Sequence, residues 1–194
     1  MFLLVIYQMI KIIAPYTDDE LMTFKFYTPE EIDNAVLILN AWPKTMHLYN
    51  VTRDILYKEL SNFHTLDKPI FDEFGNEFWD SEWYYMAGRA TDKKIKKIIS
   101  LMSWDYWLAR HARKYMWQYL EQDELKRALI MREAVYKKFD NNPNLQDVLR
   151  TTFGKEIIEY TYWGDRLFGI DQKQRVGCSV LGKLSMEYRD LKLL

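Results

Sequence analysis

Between Gly75 and Arg89 the chain reads G-N-E-F-W-D-S-E-W-Y-Y-M-A-G-R. Phe78, Trp79, Trp83, Tyr84 and Tyr85 concentrate so much ring surface here that any fold this chain adopts has to close over the stretch. Asp80 or Ser81 can accept from the free N–H groups of a first helical turn. A helix therefore starts at this point, with Glu82 at or near its beginning. A carboxylate so placed is either kept ionised by the helix dipole or desolvated by the rings and pushed toward its protonated form. Both states suit an acid, a base or a charge stabiliser. The same residue also suits an ordinary first-turn acid beside core-facing aromatics.

The 194 residues are enough for one large domain, or one domain with an extension, and for a sizeable core without disulfides. We expect an N-terminal extension over 1–46 and a domain over 47–194. Aromatic residues make up 16% of the chain, with 7 Trp and 14 Tyr, and such rings often line pockets for planar or sugar-like ligands. The net charge of -1 excludes a general attraction to nucleic acid, so any such contact has to come from a local patch. A single cysteine, Cys178, excludes an internal disulfide framework and points to a reducing, cytoplasmic setting. Met1 to Ile13 is apolar but too short to cross a bilayer, and is expected as a strand against the core or a partner, with no membrane role.

Along the chain, Met22 to Tyr27 and Thr45 to Val51 are expected as strands. Thr28-Pro29-Glu30-Glu31 reads as the start of a helix that runs to about Asn40. Asp72 to Asn76 has the residues of a tight turn, so Ile70-Phe71 and Glu77 to Trp79 pair as a hairpin leading into the Glu82 helix. Thr91-Asp92 restarts a helix with Ile95, Ile98 and Ile99 on one face and lysines on the other. Trp104 to Tyr119 and Glu121 to Phe139 are expected as helices, the second with Leu125, Leu129, Ile130, Ala134 and Val135 on its apolar side. Further helices follow at Leu145 to Thr151 and about Val180 to Leu191, with a loop from Tyr160 through Gly169 and Gly177 between them. That loop uses Gly164, Gly169 and Gly177 of only 7 glycines in the chain, so it needs backbone freedom or close approach to something. His47, His64 and His111 stand far apart with no cysteine cluster, and neither nucleotide-binding glycine motif is present, so we expect no metal and no cofactor.

Taken in order, Leu60-Ser61-Asn62-Phe63, then Ser81-Glu82-x-Tyr84-x-x-Ala87, Met131-Arg132-Glu133-Ala134 with Lys138-Phe139, Trp163-Gly164, and Gly177-x-x-x-Leu181-Gly182-x-Leu184-x-Met186-Glu187-x-Arg189 resemble the NADAR family, which includes the bacterial YbiA-type N-glycosidases. The resemblance covers about residues 48 to 191. It implies a compact, mostly α domain (α+β with a few short strands) that hydrolyses the bond between a ribose and a nitrogenous base. Family substrates are ADP-ribose attached to guanine, in nucleic acid or free, and ribosylated amino-pyrimidine intermediates of riboflavin synthesis.

By the same resemblance Glu82 is the catalytic carboxylate, and Asn62, Tyr84, Arg89, Trp163, Gly164 and Ser179 are substrate-binding. Arg89 would reach a phosphate of the ADP-ribose, and Trp163 would stack on base or sugar. The chain also departs from the family. The histidine after the glutamate is Trp83, the following glutamine and lysine are Met86 and Arg89, and Ser179 stands at the asparagine of the late loop. A binding protein that keeps the pocket without the reaction, and an interaction protein using the Trp104 to Tyr119 helix, are the alternatives.

Overall fold

Asp72 sets the geometry of the hairpin that leads into the Glu82 helix. The computed structural model describes Thr28 and residues 36–39, 57–102 and 116–194. Within it, one Asp72 carboxylate oxygen accepts from the backbone of Phe74 and Asn76 at 3.0 and 2.8 Å, and the other accepts from the Asn76 side chain at 2.7 Å. An aspartate that bonds its own following backbone closes a turn locally. It joins β2 (Ile70–Phe71) to β3 (Glu77–Phe78) as the expected antiparallel hairpin, with Ile70 opposite Phe78. Both of these side chains are completely buried while Phe71 is exposed, the alternation a one-faced hairpin requires. Burying each large side chain contributes about 1.5–3 kcal/mol.

The hairpin leads into α1 (Ser81–Gly88). Asp80 is its cap and accepts from the Trp83 backbone at 2.8 Å, which frees the Ser81 hydroxyl for other work. Asp92 repeats the device for α2 (Lys93–Met102), accepting from Lys94 and Ile95. Ile99 is buried there, but Ile98 is exposed, so the apolar face is narrower than expected. At Trp117–Tyr119 the chain forms a 3-10 turn where a continuing α-helix was expected. The long helix α3 (Glu124–Asn141) then starts at the Asp123 cap, three residues later than Glu121. Its buried stripe is Ala128, Met131, Ala134, Val135, Lys138 and Phe139, and Leu129 faces outward. Pro143 opens α4 (Pro143–Arg150), where a missing N–H costs nothing.

Two sequence expectations are corrected here. Val36–Leu39 is strand β1, not the end of a helix begun at Thr28. It pairs in parallel with β4 (Ile157–Thr161), Val36 opposite Ile157, and β-branched Val36 and Ile38 suit a strand better than a helix. β1 falls inside the stretch expected as an extension and supplies one edge of the sheet. The second correction concerns the late loop. It contains β5 (Ile170–Asp171), parallel to β4, and β6 (Val176–Gly177), antiparallel to β5, giving the sheet order β1-β4-β5-β6. Gly177 is needed for close approach, since a Cβ there would stand 2.2 Å from the Gly169 carbonyl oxygen. The strands expected at Met1 to Ile13, Met22 to Tyr27 and Thr45 to Val51, and the helix expected from Trp104, lie wholly or mostly outside the described residues.

The last helix, α5 (Val180–Lys192), lies across β4 and against α3. Arg132 and Tyr136 of α3 both reach the buried Glu187 of α5, the salt bridge at 3.0 Å and the phenol donating at 2.8 Å. The result is an α+β domain in which α1, α3 and α5 enclose the core beside a small mixed sheet. Gly182 sets how closely α5 approaches β4, because a Cβ at this position would lie 2.1 Å from the Ile157 carbonyl oxygen. Gly182→Ala has to lift the helix off the strand, and we expect a loss of about 1–3 kcal/mol, the scale of overpacking. Urea denaturation checks this, and an unshifted midpoint would contradict so close a packing.

Candidate active site

Glu82 is placed by contacts that lie beneath it. Its backbone N–H donates to the Asn62 carbonyl at 3.1 Å, and the Ser81 hydroxyl donates to the Asn62 side-chain oxygen at 3.0 Å. The Asn62 amide nitrogen points at the Met131 sulfur at 3.2 Å, and the Lys138 ammonium donates to the Ser61 carbonyl at 2.8 Å. The Ser61-Asn62 segment is thereby clamped between α3 and the head of α1. Glu82 itself keeps partial exposure, whereas Ser61, Asn62, Ser81 and Lys138 are buried. Asn62 is thus in place to position Glu82, and its side chain is turned inward.

The interior below this point is electrically unusual. Desolvation, with the neighbouring Glu82 charge adding to it, pushes the Asp80 carboxyl up to about 7 against the opposing bond from Trp83 N–H. Desolvation likewise pulls the Lys138 ammonium down to about 7, while Asp80 and Glu159 hold it up. His64 is lowered by burial first and by Lys138 second. Glu159 is itself buried at the centre of β4.

The other expected site residues lie on α1, just after it, and on the late segment around Trp163. Tyr84 points toward α3, where its hydroxyl donates to Glu133 at 2.5 Å and its ring meets Phe78 edge-on at 5.5 Å. Burial and the Glu133 bond push that phenol well above the ordinary tyrosine range. Tyr85, one turn after Glu82, lies on another face of the helix than Tyr84, and its ring lies 5.2 Å from Phe168. This contact joins the Glu82 face of α1 to the segment that carries Trp163. Trp163 is 55% exposed, followed by Gly164 at φ +81°, a turn conformation that glycine adopts without strain. The turn is fastened by Asp165, which accepts from Leu167 and Phe168, and by Thr161, whose hydroxyl donates to the Asp165 carbonyl.

Arg89 is 1% exposed, so the phosphate contact expected of it has no open surface. Its guanidinium donates to the Glu121 carbonyl at 3.0 Å and to Gln122 at 3.4 Å, approaches the Met86 sulfur at 3.7 Å, and lies over the rings of Tyr85 and Trp117. Arg89 ties α1 to the chain entering α3. Ser179 is also internal: at φ +46° it precedes α5, and its hydroxyl accepts from the Glu159 backbone at 3.0 Å. The structure brings Asn62 to Glu82, joins the Trp163 segment to the same helix face through Tyr85, and turns Tyr84, Arg89 and Ser179 to structural contacts.

Lys138, Asp80 and Tyr85 were not singled out as site residues from sequence. The signal for Lys138 was present, since Met131, Ala134, Val135 and Lys138 follow helical spacing and put a lysine on an apolar stripe. Among the described residues no group of three His, Cys, Asp or Glu side chains is placed to hold a metal, and no helix is long and apolar enough to cross a membrane. The Lys138 shift has a consequence for stability. Between about 7 and the ordinary 10.5 the folded protein has released a proton that the unfolded chain still binds, so stability rises with pH in this window. Asp80 acts oppositely between 3.8 and about 7, where the folded form holds the extra proton and stability falls as pH rises. Lys138→Met should flatten the rise above neutrality. Chemical denaturation of both proteins at several pH values between neutrality and the lysine range checks it, and parallel curves would place Lys138 in a solvated setting.

The NADAR domain family matches residues 47–192. The N-glycosidase YbiA of Shigella flexneri serotype 5b (strain 8401) is 30% identical over 149 residues, covering 75% of this chain and 86% of the relative. The N-glycosidase YbiA of Escherichia coli (strain K12) is 29% identical over 149 residues with the same coverage. The NMR structure of the E. coli protein YbiA superposes with a TM-score of 0.55 at 25% identity, covering 81% of this chain and 84% of that one. The order of motifs, the clamped glutamate and these likenesses agree, and the chain belongs to the NADAR family.

Proposed function

We propose that this protein is an N-glycosidase that hydrolyses the bond between a ribose and a nitrogenous base, with ADP-ribosylated guanine, free or in nucleic acid, as its substrate. The relatives' activity supports the reaction class, and the resemblance described above supports the substrate. The observation that carries the reading is Glu82, partly exposed in the first turn of α1 with its backbone N–H held by the Asn62 carbonyl. Breaking a ribose to base bond builds positive charge on the anomeric carbon and negative charge on the departing base. A carboxylate on a backbone so held stabilises the first charge or activates the attacking water. The exposed Trp163 offers a flat apolar face on which base or sugar can stack.

A second reading is a protein that binds ADP-ribose and turns it over weakly, and a ribosylated riboflavin intermediate is a further candidate substrate. The interlocked, buried pair of Met86 and Arg89 favours the weak-turnover reading, because these positions hold glutamine and lysine in the family and here contribute packing. Guanidinium stays protonated and cannot replace an amine nucleophile. Glu82→Gln tests whether the carboxylate acts in turnover. Gln keeps the size of Glu, and the backbone contact to Asn62 does not depend on the side chain, so folding and ligand affinity should persist. Single-turnover release of ADP-ribose should fall by at least about 100-fold, the scale of general acid–base help. Near-equal rates in the two proteins would reduce Glu82 to a helix-start residue.

A further inference from the structure

Arg89, Lys138 and Arg127 all border α1, and the first two are committed to the fold by the bonds described above. Arg127, on the first turns of α3, is held differently. Its Nε donates to the Tyr85 hydroxyl at 3.1 Å and its guanidinium carbon lies 5.5 Å from the centre of the Phe168 ring. Its terminal Nη1 and Nη2 groups have no hydrogen-bond acceptor and no carboxylate partner among the described residues. The residue is half-buried.

A guanidinium braced at Nε by a phenol and laid against a ring has lost most of its rotamer freedom. Its remaining edge presents parallel N–H donors, the geometry that matches a phosphate. The brace is Tyr85, which lies on the same face of α1 as Glu82 and one turn further along, about 5–6 Å between Cβ atoms for such a pair. The ring is Phe168, on the segment that carries Trp163. A ribose with its anomeric carbon at Glu82 and its 5′ substituent directed along this face would bring a phosphate toward Arg127.

We propose that Arg127 binds a phosphate attached to the ribose of the substrate, as a 5′-monophosphate or a 5′-pyrophosphate, and so makes the site select phosphorylated ribosyl bases over bare nucleosides. The inference deepens the glycosidase reading and rests on it for the placement of the ribose. It moves the expected phosphate contact from Arg89, which is sealed in the core, to a cation whose two terminal nitrogens meet no acceptor among the described residues.

Calorimetric titration of the full chain with ADP-ribose, ribose 5-phosphate and ribose tests it in wild type, Arg127→Met and Arg127→Lys. Met keeps an unbranched apolar stem on Phe168 and removes the donors, and Lys restores charge without the fork. We expect Arg127→Met to weaken binding of the phosphorylated ligands by about tenfold or more, with partial recovery in Arg127→Lys and no change for ribose. Weakening of both phosphorylated ligands assigns the contact to the phosphate on the ribose carbon, and weakening of ADP-ribose alone assigns it to the pyrophosphate. Unchanged affinities, an equal loss for ribose, or wild-type protein that binds neither phosphorylated ligand would overturn the proposal. Phosphate binding that depends on Arg127 in a protein without turnover would leave this proposal standing and remove the glycosidase reading.

Discussion

The bond from the Lys138 ammonium to the Ser61 carbonyl, 2.8 Å long and fully buried, is the contact on which the geometry of the site depends. It fixes the Ser61-Asn62 segment to α3, and the Asn62 carbonyl and side chain then receive the Glu82 N–H and the Ser81 hydroxyl. Glu82 is therefore positioned by a helix it does not belong to. Removing the lysine would take the charged donor from a buried carbonyl that also accepts from the His64 N–H at 3.1 Å, a loss of about 1.5–3 kcal/mol. It would also remove the charge that offsets Asp80. Asp80 closes the circuit from the other side, since it caps the same helix that Asn62 orients.

From that fixed point α1 serves two partners. Tyr84 locks it to Glu133 midway along α3, while Tyr85 meets Arg127 at the start of α3 and Phe168 of the late segment. Only the second set of contacts continues to the turn bearing Trp163. This division explains why Tyr84 and Glu82, neighbours in one motif, do different things. It also explains Arg89, which follows Tyr85 by one turn but points at the chain entering α3, where the Glu121 carbonyl, the Gln122 side chain and two aromatic rings meet its charge. In a buried setting a guanidinium is stable only when its donors are satisfied in this way.

Much of this was legible in the sequence because it depends on local chemistry. The Asp72 turn and the Asp80 and Asp92 caps all follow from side chains bonding their nearest backbone, whereas α4 begins at Pro143, two residues before the expected Leu145. β1 was misjudged for the complementary reason: Thr28 to Glu31 carries a good helix-start pattern, but Val36–Leu39 takes its conformation from Ile157–Tyr160, far along the chain. β5 and β6, two residues each, are too short to show a period. Glu82 was recognisable from its motif, whereas Arg127 resembled any charged residue on a helix until Tyr85 and Phe168 were seen around it. The burial of Arg89 was equally hidden, since a lysine-to-arginine exchange reads as conserved charge until its partners are known.

The central claim is that this scaffold serves cleavage of a ribose to base bond, and the direct measurement is the product of wild-type protein incubated with ADP-ribosylated guanine, free and in DNA. Mass analysis should find free ADP-ribose together with an unmodified guanine base, accumulating in proportion to enzyme. Unchanged substrate in both forms, or cleavage at the pyrophosphate with the ribose still attached to the base, would contradict the claim.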